Sequence, residues 1–225
     1  MAYPWKVPTR QNITAIKTVQ LGTVPNCIIL LMERKTIVVY GASSVDTEQV
    51  FKDAAYKLGG LIASAGKTLV TGAGSTGLMA SIEDGALDAG GTAIGVIPRF
   101  MVDNGWLHQG LSEVIVTESM HERKHRMADM ADAVVALPGG TGTFEELFEI
   151  ITWKMLGLFV KPVIILNTDH YYDPLLTMLD RTVDHHFMKS VFRALWVVAY
   201  TPQEVFDLLD VIPDWTDTTA KVNIR

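Results

Sequence analysis

The sequence predicts an α/β fold: a single doubly wound, mostly parallel, Rossmann-like sheet of about seven strands with helices on both faces. Three observations predict it. Short β-branched runs alternate with stretches of helical periodicity from residue 35 onward. The runs are apolar throughout, as strands covered on both faces are. Glycine-rich turns follow some of these runs, at the edge where such a sheet feeds its helices and gathers ligands.

In order, the strand runs are TIVVY at 36–40, TLVTG at 68–72, TAIGVIP at 92–98, VIVTE at 114–118, AVVAL at 133–137, PVIIL at 162–166 and WVVAY at 196–200. Between them, Val50, Ala54, Leu58, Leu61, Ile62 and Ala65 recur at helical spacing. The same holds for Leu147, Phe148, Ile151 and Met155, and for Leu175, Leu176, Leu179 and Val183. No repeat, low-complexity segment or linker interrupts the chain after residue 35. Three parts are expected: an N-terminal extension over 1–31, one Rossmann-like domain over 32–212 and a polar tail over 213–225.

With 225 residues, 48% hydrophobic and 20% charged, the chain is apolar enough to exclude global disorder. A net charge of −6 argues against nucleic acid as a partner, because a phosphate backbone is held by a broad basic surface. Any phosphate site must be local. The single cysteine, Cys27, allows no internal disulfide and no cysteine-based zinc site, so a reducing cytoplasm is the expected compartment. No apolar run reaches the roughly 18 residues of a membrane span, and Gly22 and Pro25 interrupt what would be a signal-peptide core.

The most informative stretch is PGGTGTFEE at 138–146, which leaves an apolar strand and enters a helix. Gly139, Gly140 and Gly142 let a ligand approach the main chain, and the helix start offers unpaired N–H groups and a positive dipole end. That is an anion site. Glu145 and Glu146 are expected in the first turn of the helix, where binding and chemistry can share one loop. Thr143 and Glu146 also have capping-box spacing, so Glu146 has a purely structural reading as well.

A second turn, TGAGSTGLMA at 71–80, carries Gly72, Gly74 and Gly77 in G-x-G-x-x-G spacing. It follows the second strand rather than the first. The next strand ends at Ile97, Pro98 and Arg99, with no acidic residue to hold a ribose 2′-hydroxyl, which weakens a dinucleotide reading. Gly72 and Gly74 are instead candidates for a second phosphate cradle, with close packing or a simple tight turn as alternatives. In SMHERKHRM at 119–127, Ser119 and Glu122 form a capping box that starts a helix near Met120. Arg123 and Lys124 then lie near a helix N-terminus, where cations oppose the dipole unless an anion compensates them. A solvated basic face is the alternative. The six histidines show no metal-ligand spacing, so no metal is expected, and no G-x-S-x-G elbow is present.

Taken together, VYGASS at 39–44, GAGSTGLM at 72–79, GVIPR at 95–99, SMHERKHRM and PGGTGTFEELFEIITW at 138–153 resemble the Lonely Guy family. These are cytokinin riboside 5′-monophosphate phosphoribohydrolases, often labelled lysine decarboxylases. The resemblance continues through GLFVKPVIILNTDHYYDPLL at 157–176 and covers about residues 33–210; the spacing of Arg123 and Glu146, 146 minus 123 or 23 positions, also matches. It implies hydrolysis of the N-glycosidic bond in an N6-substituted adenosine 5′-monophosphate, without a cofactor, to free base and ribose 5-phosphate. By position it makes Arg123 and Glu146 the catalytic pair, with Lys124, Gly140, Thr141, Gly142, Thr143, Glu145 and Thr152 in contact with the nucleotide. It also implies a homodimer or larger homo-oligomer.

The chemistry agrees with those assignments. Breaking a ribosyl C–N bond builds positive charge on the sugar, so a carboxylate such as Glu146 can stabilise that charge and direct a water to C1′. Arg123 can orient the glutamate or bond the ribose or phosphate. A decarboxylase would need pyridoxal phosphate on a lysine, and nothing singles one out. Related folds include non-catalytic molybdenum-cofactor carriers, which are the alternative. Ala73 and Ala80 stand where the family usually has glycine, and the loop 100–110 offers only Asp103 as its acidic residue, so the preference between AMP and prenylated AMP is open.

Overall fold

The computed structural model describes residues 33–215. The expected extension over 1–31 and the tail beyond Trp215 lie outside the described residues. Seven strands are present: β1 Thr36–Tyr40, β2 Thr68–Thr71, β3 Thr92–Pro98, β4 Glu113–Thr117, β5 Ala133–Ala136, β6 Val163–Leu166 and β7 Val197–Ala199. Helices join them: α1 Gln49–Ser64, α2 Gly77–Asp88, the short α3 Arg99–Asp103, α4 Met120–Met130, α5 Thr141–Met155, α6 Asp173–Asp184 and α7 Pro202–Leu209. All strand pairs are parallel, in the order β4-β3-β2-β1-β5-β6-β7.

The alternation of side chains along each strand builds two cores. Ile37 and Val39 of β1 point to one face, with Leu58 and Ile62 of α1, Ile82 of α2 and Val205 of α7. Val38 and Tyr40 point to the other, with Met127 of α4, Leu147 and Ile151 of α5 and Leu176 of α6. The strands are buried on both sides because helices cover both, which explains their unbroken apolar runs.

The strand order places the site. The chain steps outward from β1 to β4 on one side, then returns to add β5 on the other side of β1. After β1 it turns to the face of α1, and after β5 to the face of α5. The two loops therefore diverge at the carboxyl ends of neighbouring strands and leave a crevice, the usual ligand position of an open α/β sheet. A hydrogen bond from the Ala42 N–H to the Pro138 carbonyl, 3.3 Å, ties the loops at its base.

Both helix starts were legible, one with a correction. Ser119 caps α4 by accepting the Glu122 N–H at 3.1 Å, as expected. The Glu122 carboxylate reaches the Glu118 N–H at 2.9 Å, one residue before the cap. For α5 the cap is Gly140 and no side chain closes it. Thr143 is thus already helical, Glu145 and Glu146 lie in the second turn rather than the first, and the capping-box reading of Glu146 fails. The physical reason is that the glycine turn runs straight into the helix, and the Thr143 side chain packs over Gly139.

Candidate active site

Arg123 and Lys124 are buried, 5% and 6% exposed, which excludes a solvated basic face. Arg123 is fixed by main chain: its Nε donates to the Val96 carbonyl of β3 at 3.0 Å, and one Nη donates to the Gly72 carbonyl after β2 at 3.3 Å. The other Nη lies 3.7 Å from a Glu146 carboxylate oxygen and 3.7 Å from the Met120 sulfur. Lys124 sits between Glu145 and Glu149, the second at 3.1 Å. The anions that the cationic helix start requires are therefore the glutamates of α5.

Burial drives the Glu146 carboxyl upward to about 7, against the pull of Arg123 and Lys124 and with the help of Glu145 and Glu149. Burial also pulls Lys124 down, but its two glutamate partners outweigh it and raise it above the usual lysine value. Tyr40, at the end of β1, is pushed above the ordinary phenol range by burial first and then by Glu146 and Glu149. It therefore remains a phenol facing the same carboxylates.

The turn before α5 is open. Thr141, Gly142 and Thr143 have N–H groups without intrahelical acceptors, and no side chain caps them. A Cβ at Gly140 or Gly142 would meet nothing within 4 Å, and neither residue has a positive φ. Neither packing nor backbone conformation asks for glycine there, which leaves room for a ligand as the reason. Gly139 differs, because a Cβ there would lie 2.1 Å from the Thr143 hydroxyl. Tyr171 and Tyr172 hold the turn from behind: their hydroxyls donate to the Gly139 and Leu137 carbonyls at 2.6 and 2.7 Å.

The structure gathers Arg123, Lys124, Glu145 and Glu146 at the crevice and places Gly139, Gly140, Thr141, Gly142 and Thr143 at its edge. Gly72 joins them through Arg123: a Cβ on it would lie 1.7 Å from the guanidinium, so its glycine makes room for an arginine rather than a phosphate. Gly74 pairs with Leu107 of the neighbouring loop instead of lining the cluster. Thr152 is exposed, and its hydroxyl is engaged by the Phe148 carbonyl at 2.7 Å. Sequence reasoning missed Tyr40, Glu149, Tyr171 and Tyr172. Glu149 had a signal, the i,i+4 spacing from Glu145 across Lys124; the three tyrosines had none beyond lying at a strand end, for Tyr40, or in a loop, for Tyr171 and Tyr172.

Residues 79–209 match the sequence model of a family described as "Possible lysine decarboxylase". A cytokinin riboside 5′-monophosphate phosphoribohydrolase of Arabidopsis thaliana is 39% identical over 189 residues, covering 84% of this chain and 89% of that protein. The chain belongs to the Lonely Guy family. A second relative, a probable cytokinin riboside 5′-monophosphate phosphoribohydrolase of Oryza sativa subsp. japonica, is 44% identical over 169 residues, 75% of this chain and 76% of that one. Among solved structures, the molybdenum cofactor carrier protein of Chlamydomonas reinhardtii superposes with a TM-score of 0.60 at 28% identity, covering 78% of this chain and 95% of that one. The molybdenum cofactor binding protein of Rippkaea orientalis does so with 0.61 at 26%, covering 79% and 96%. The sequence motifs of the Lonely Guy family thus sit on a fold shared with cofactor carriers.

Among the described residues, no helix is long and apolar enough to cross a membrane. A decarboxylase working through pyridoxal phosphate would need a Schiff-base lysine, and among the described residues Lys154 is the one whose value burial lowers clearly, to about 8. It lies eight positions after Glu146 on α5, about 12 Å along the helix, beside Arg34 and Asp214. It is not part of the crevice.

Proposed function

We propose that this chain hydrolyses the N-glycosidic bond of adenosine 5′-monophosphates, N6-substituted ones included, to free base and ribose 5-phosphate. The observation that carries this is Glu146: a buried carboxyl near pKa 7, held beside an immobilised guanidinium, one turn into a helix whose start is uncapped and open. The names of the relatives at 39–44% identity support it.

In this reading the 5′-phosphate docks on the N–H groups of Thr141, Gly142 and Thr143, next to Gly139 and Gly140. Glu146 lies about 7 Å further along the helix, a separation that a ribose ring bridges. As the C1′–N9 bond breaks, its electron pair leaves with the base and positive charge grows on the sugar. The Glu146 carboxylate faces that charge and takes a proton from the water whose oxygen bonds C1′; a proton from solvent completes the base. Arg123, fixed by two main-chain carbonyls, keeps the carboxylate aimed. Lys124 keeps Glu145 and Glu149 from closing on Glu146. A carrier would not need Glu146, and the buried carboxyl beside the Arg123 guanidinium favours the hydrolase over the cofactor-carrier reading.

The test is release of ribose 5-phosphate from AMP and from isopentenyl-AMP by wild type and Glu146→Gln. Turnover lost in the variant supports the proposal. Equal turnover in both removes Glu146 from the chemistry, and tight nucleotide binding without turnover in either turns the reading to a carrier. A homodimer belongs to the same proposal, since Phe148 of α5 and Leu156 and Leu158 just beyond it are exposed apolar residues. Sedimentation velocity showing a monomer at micromolar concentration would remove that part.

A further inference from the structure

Among the described residues two glutamates are buried, Glu146 and the fully enclosed Glu83 of α2. The hydrolase reading makes no use of Glu83. One of its oxygens accepts the Thr71 hydroxyl, and the other is buried with no hydrogen-bond partner. An apolar residue would fill the space without that cost, so the carboxyl is there for something other than packing.

Its connections lead to Arg123. The Thr71 hydroxyl oxygen also accepts the Ala73 N–H at 3.1 Å, which fixes the main chain on both sides of Gly72. The Gly72 carbonyl is the one that receives the Arg123 guanidinium. Ala73 is held in the left-handed region, φ 60°, where a non-glycine residue needs its surroundings to keep it. Its carbonyl accepts the His108 N–H at 3.0 Å, tying the turn to the loop that follows α3. The His108 ring closes the circuit: Nε2 meets Asp84 at 2.9 Å, Nδ1 accepts the Gly110 N–H at 3.1 Å, and Nδ1 lies 3.9 Å from the free Glu83 oxygen.

We propose that Glu83 is a positioning residue for Arg123: through Thr71 it locks the turn 71–73 so that the Gly72 carbonyl holds the guanidinium against Glu146. The same lock fixes the loop 104–110 through Ala73 and His108. The inference rests on the hydrolase reading for its kinetic consequence only; the positioning of Arg123 is testable without substrate. Burial raises Glu83 to about 8, so it is mostly a neutral acid at pH 7, and glutamine mimics that form.

The experiment compares Glu83→Gln, Glu83→Leu, Thr71→Val and Thr71→Ser in the full chain by two readouts. One is kcat and KM for the better of the two nucleotides. The other, without ligand, is hydrogen exchange of the Arg123 Nη–H that the Gly72 carbonyl accepts, seen by nitrogen-15 NMR and assigned by its loss in Arg123→Lys. Glu83→Gln and Thr71→Ser are expected to keep kcat within about threefold of wild type, and Glu83→Leu and Thr71→Val to lose about 10–100-fold in kcat with KM little changed. In the latter pair that Arg123 Nη–H exchanges at least about tenfold faster. Wild-type kcat and unchanged exchange in Thr71→Val overturn the proposal, and that variant decides if Glu83→Leu does not fold. If wild type itself turns over neither nucleotide, the hydrolase reading fails, and the exchange data still decide whether Glu83 positions Arg123.

Discussion

Two glycine-rich turns at the carboxyl edge of the same sheet, 72–77 and 138–143, look alike in sequence and are opposites in structure. In the first, the helix start is already occupied: the Ala42 carbonyl accepts the N–H groups of both Leu78 and Met79, at 2.8 and 3.1 Å. Gly77 has φ +68°, and a Cβ on it would lie 2.7 Å from main-chain atoms of Ala42, Ser43 and Ser44. The glycines there serve the fold and Arg123. In the second turn the N–H groups are unclaimed, and two of the three glycines face open space. A glycine pattern before a helix therefore predicts a ligand only when the protein leaves the helix start unfilled.

The strongest way to break the contrast is Glu146→Gln, which removes the carboxylate behind the open turn and leaves the turn itself. We expect kcat to fall by about 10²–10⁴-fold with a circular-dichroism spectrum like wild type. A drop of less than tenfold would mean that the open turn binds and does no chemistry.

The next largest effect is on stability, in the closed turn. Gly77→Ala adds a methyl against main chain at a positive φ and is expected to cost about 2–4 kcal/mol, or roughly 5–15 °C in Tm. Gly142→Ala inverts the pattern: the methyl meets nothing in the protein and alanine favours helix by up to about 1 kcal/mol, so Tm holds or rises. Its KM for a nucleoside monophosphate should rise about tenfold. Equal behaviour of the two variants, by thermal melts and initial rates, would erase the distinction between the turns.

Two pH dependences sharpen the comparison further. If Glu146 acts as a carboxylate, its value near 7 requires kcat/KM to fall about tenfold per unit below pH 7 and to level above it. A rate that instead falls above pH 7 would assign it the protonated role. The last effect is read across pH rather than at one pH and concerns Glu83, which stands between Thr71, His108 and Asp84 beside the closed turn. Its folded value, about 8, exceeds the usual 4.5, so the folded state binds the proton more tightly and stability declines as pH rises through that window. Glu83→Gln removes this decline, and its stability relative to wild type should improve by about 2–4 kcal/mol between pH 5 and pH 9, measured by urea unfolding.

Sequence by itself determined the strands and the parallel sheet, and it marked the 138–146 turn, while the pairing of Arg123 with Glu146 came from the resemblance to the family. Period-two and period-3.6 burial leaves a local record, and a glycine turn after an apolar strand marks the ligand edge. It also led from Ser119 and Glu122 to the start of α4, because a cap is made by residues three apart. Only the tertiary structure decided the rest. That Gly72 exists for a guanidinium 51 positions away, that Glu145 and Glu149 neutralise Lys124, and that Tyr171 and Tyr172 brace the open turn are facts about neighbours distant in sequence. The Ala42 carbonyl that fills the start of α2 belongs to the loop after β1, far from that helix in sequence. Burial acts in the same way: a glutamate reads as a surface charge until the fold encloses it, and Glu83 and Glu146 owe their raised values to what surrounds them.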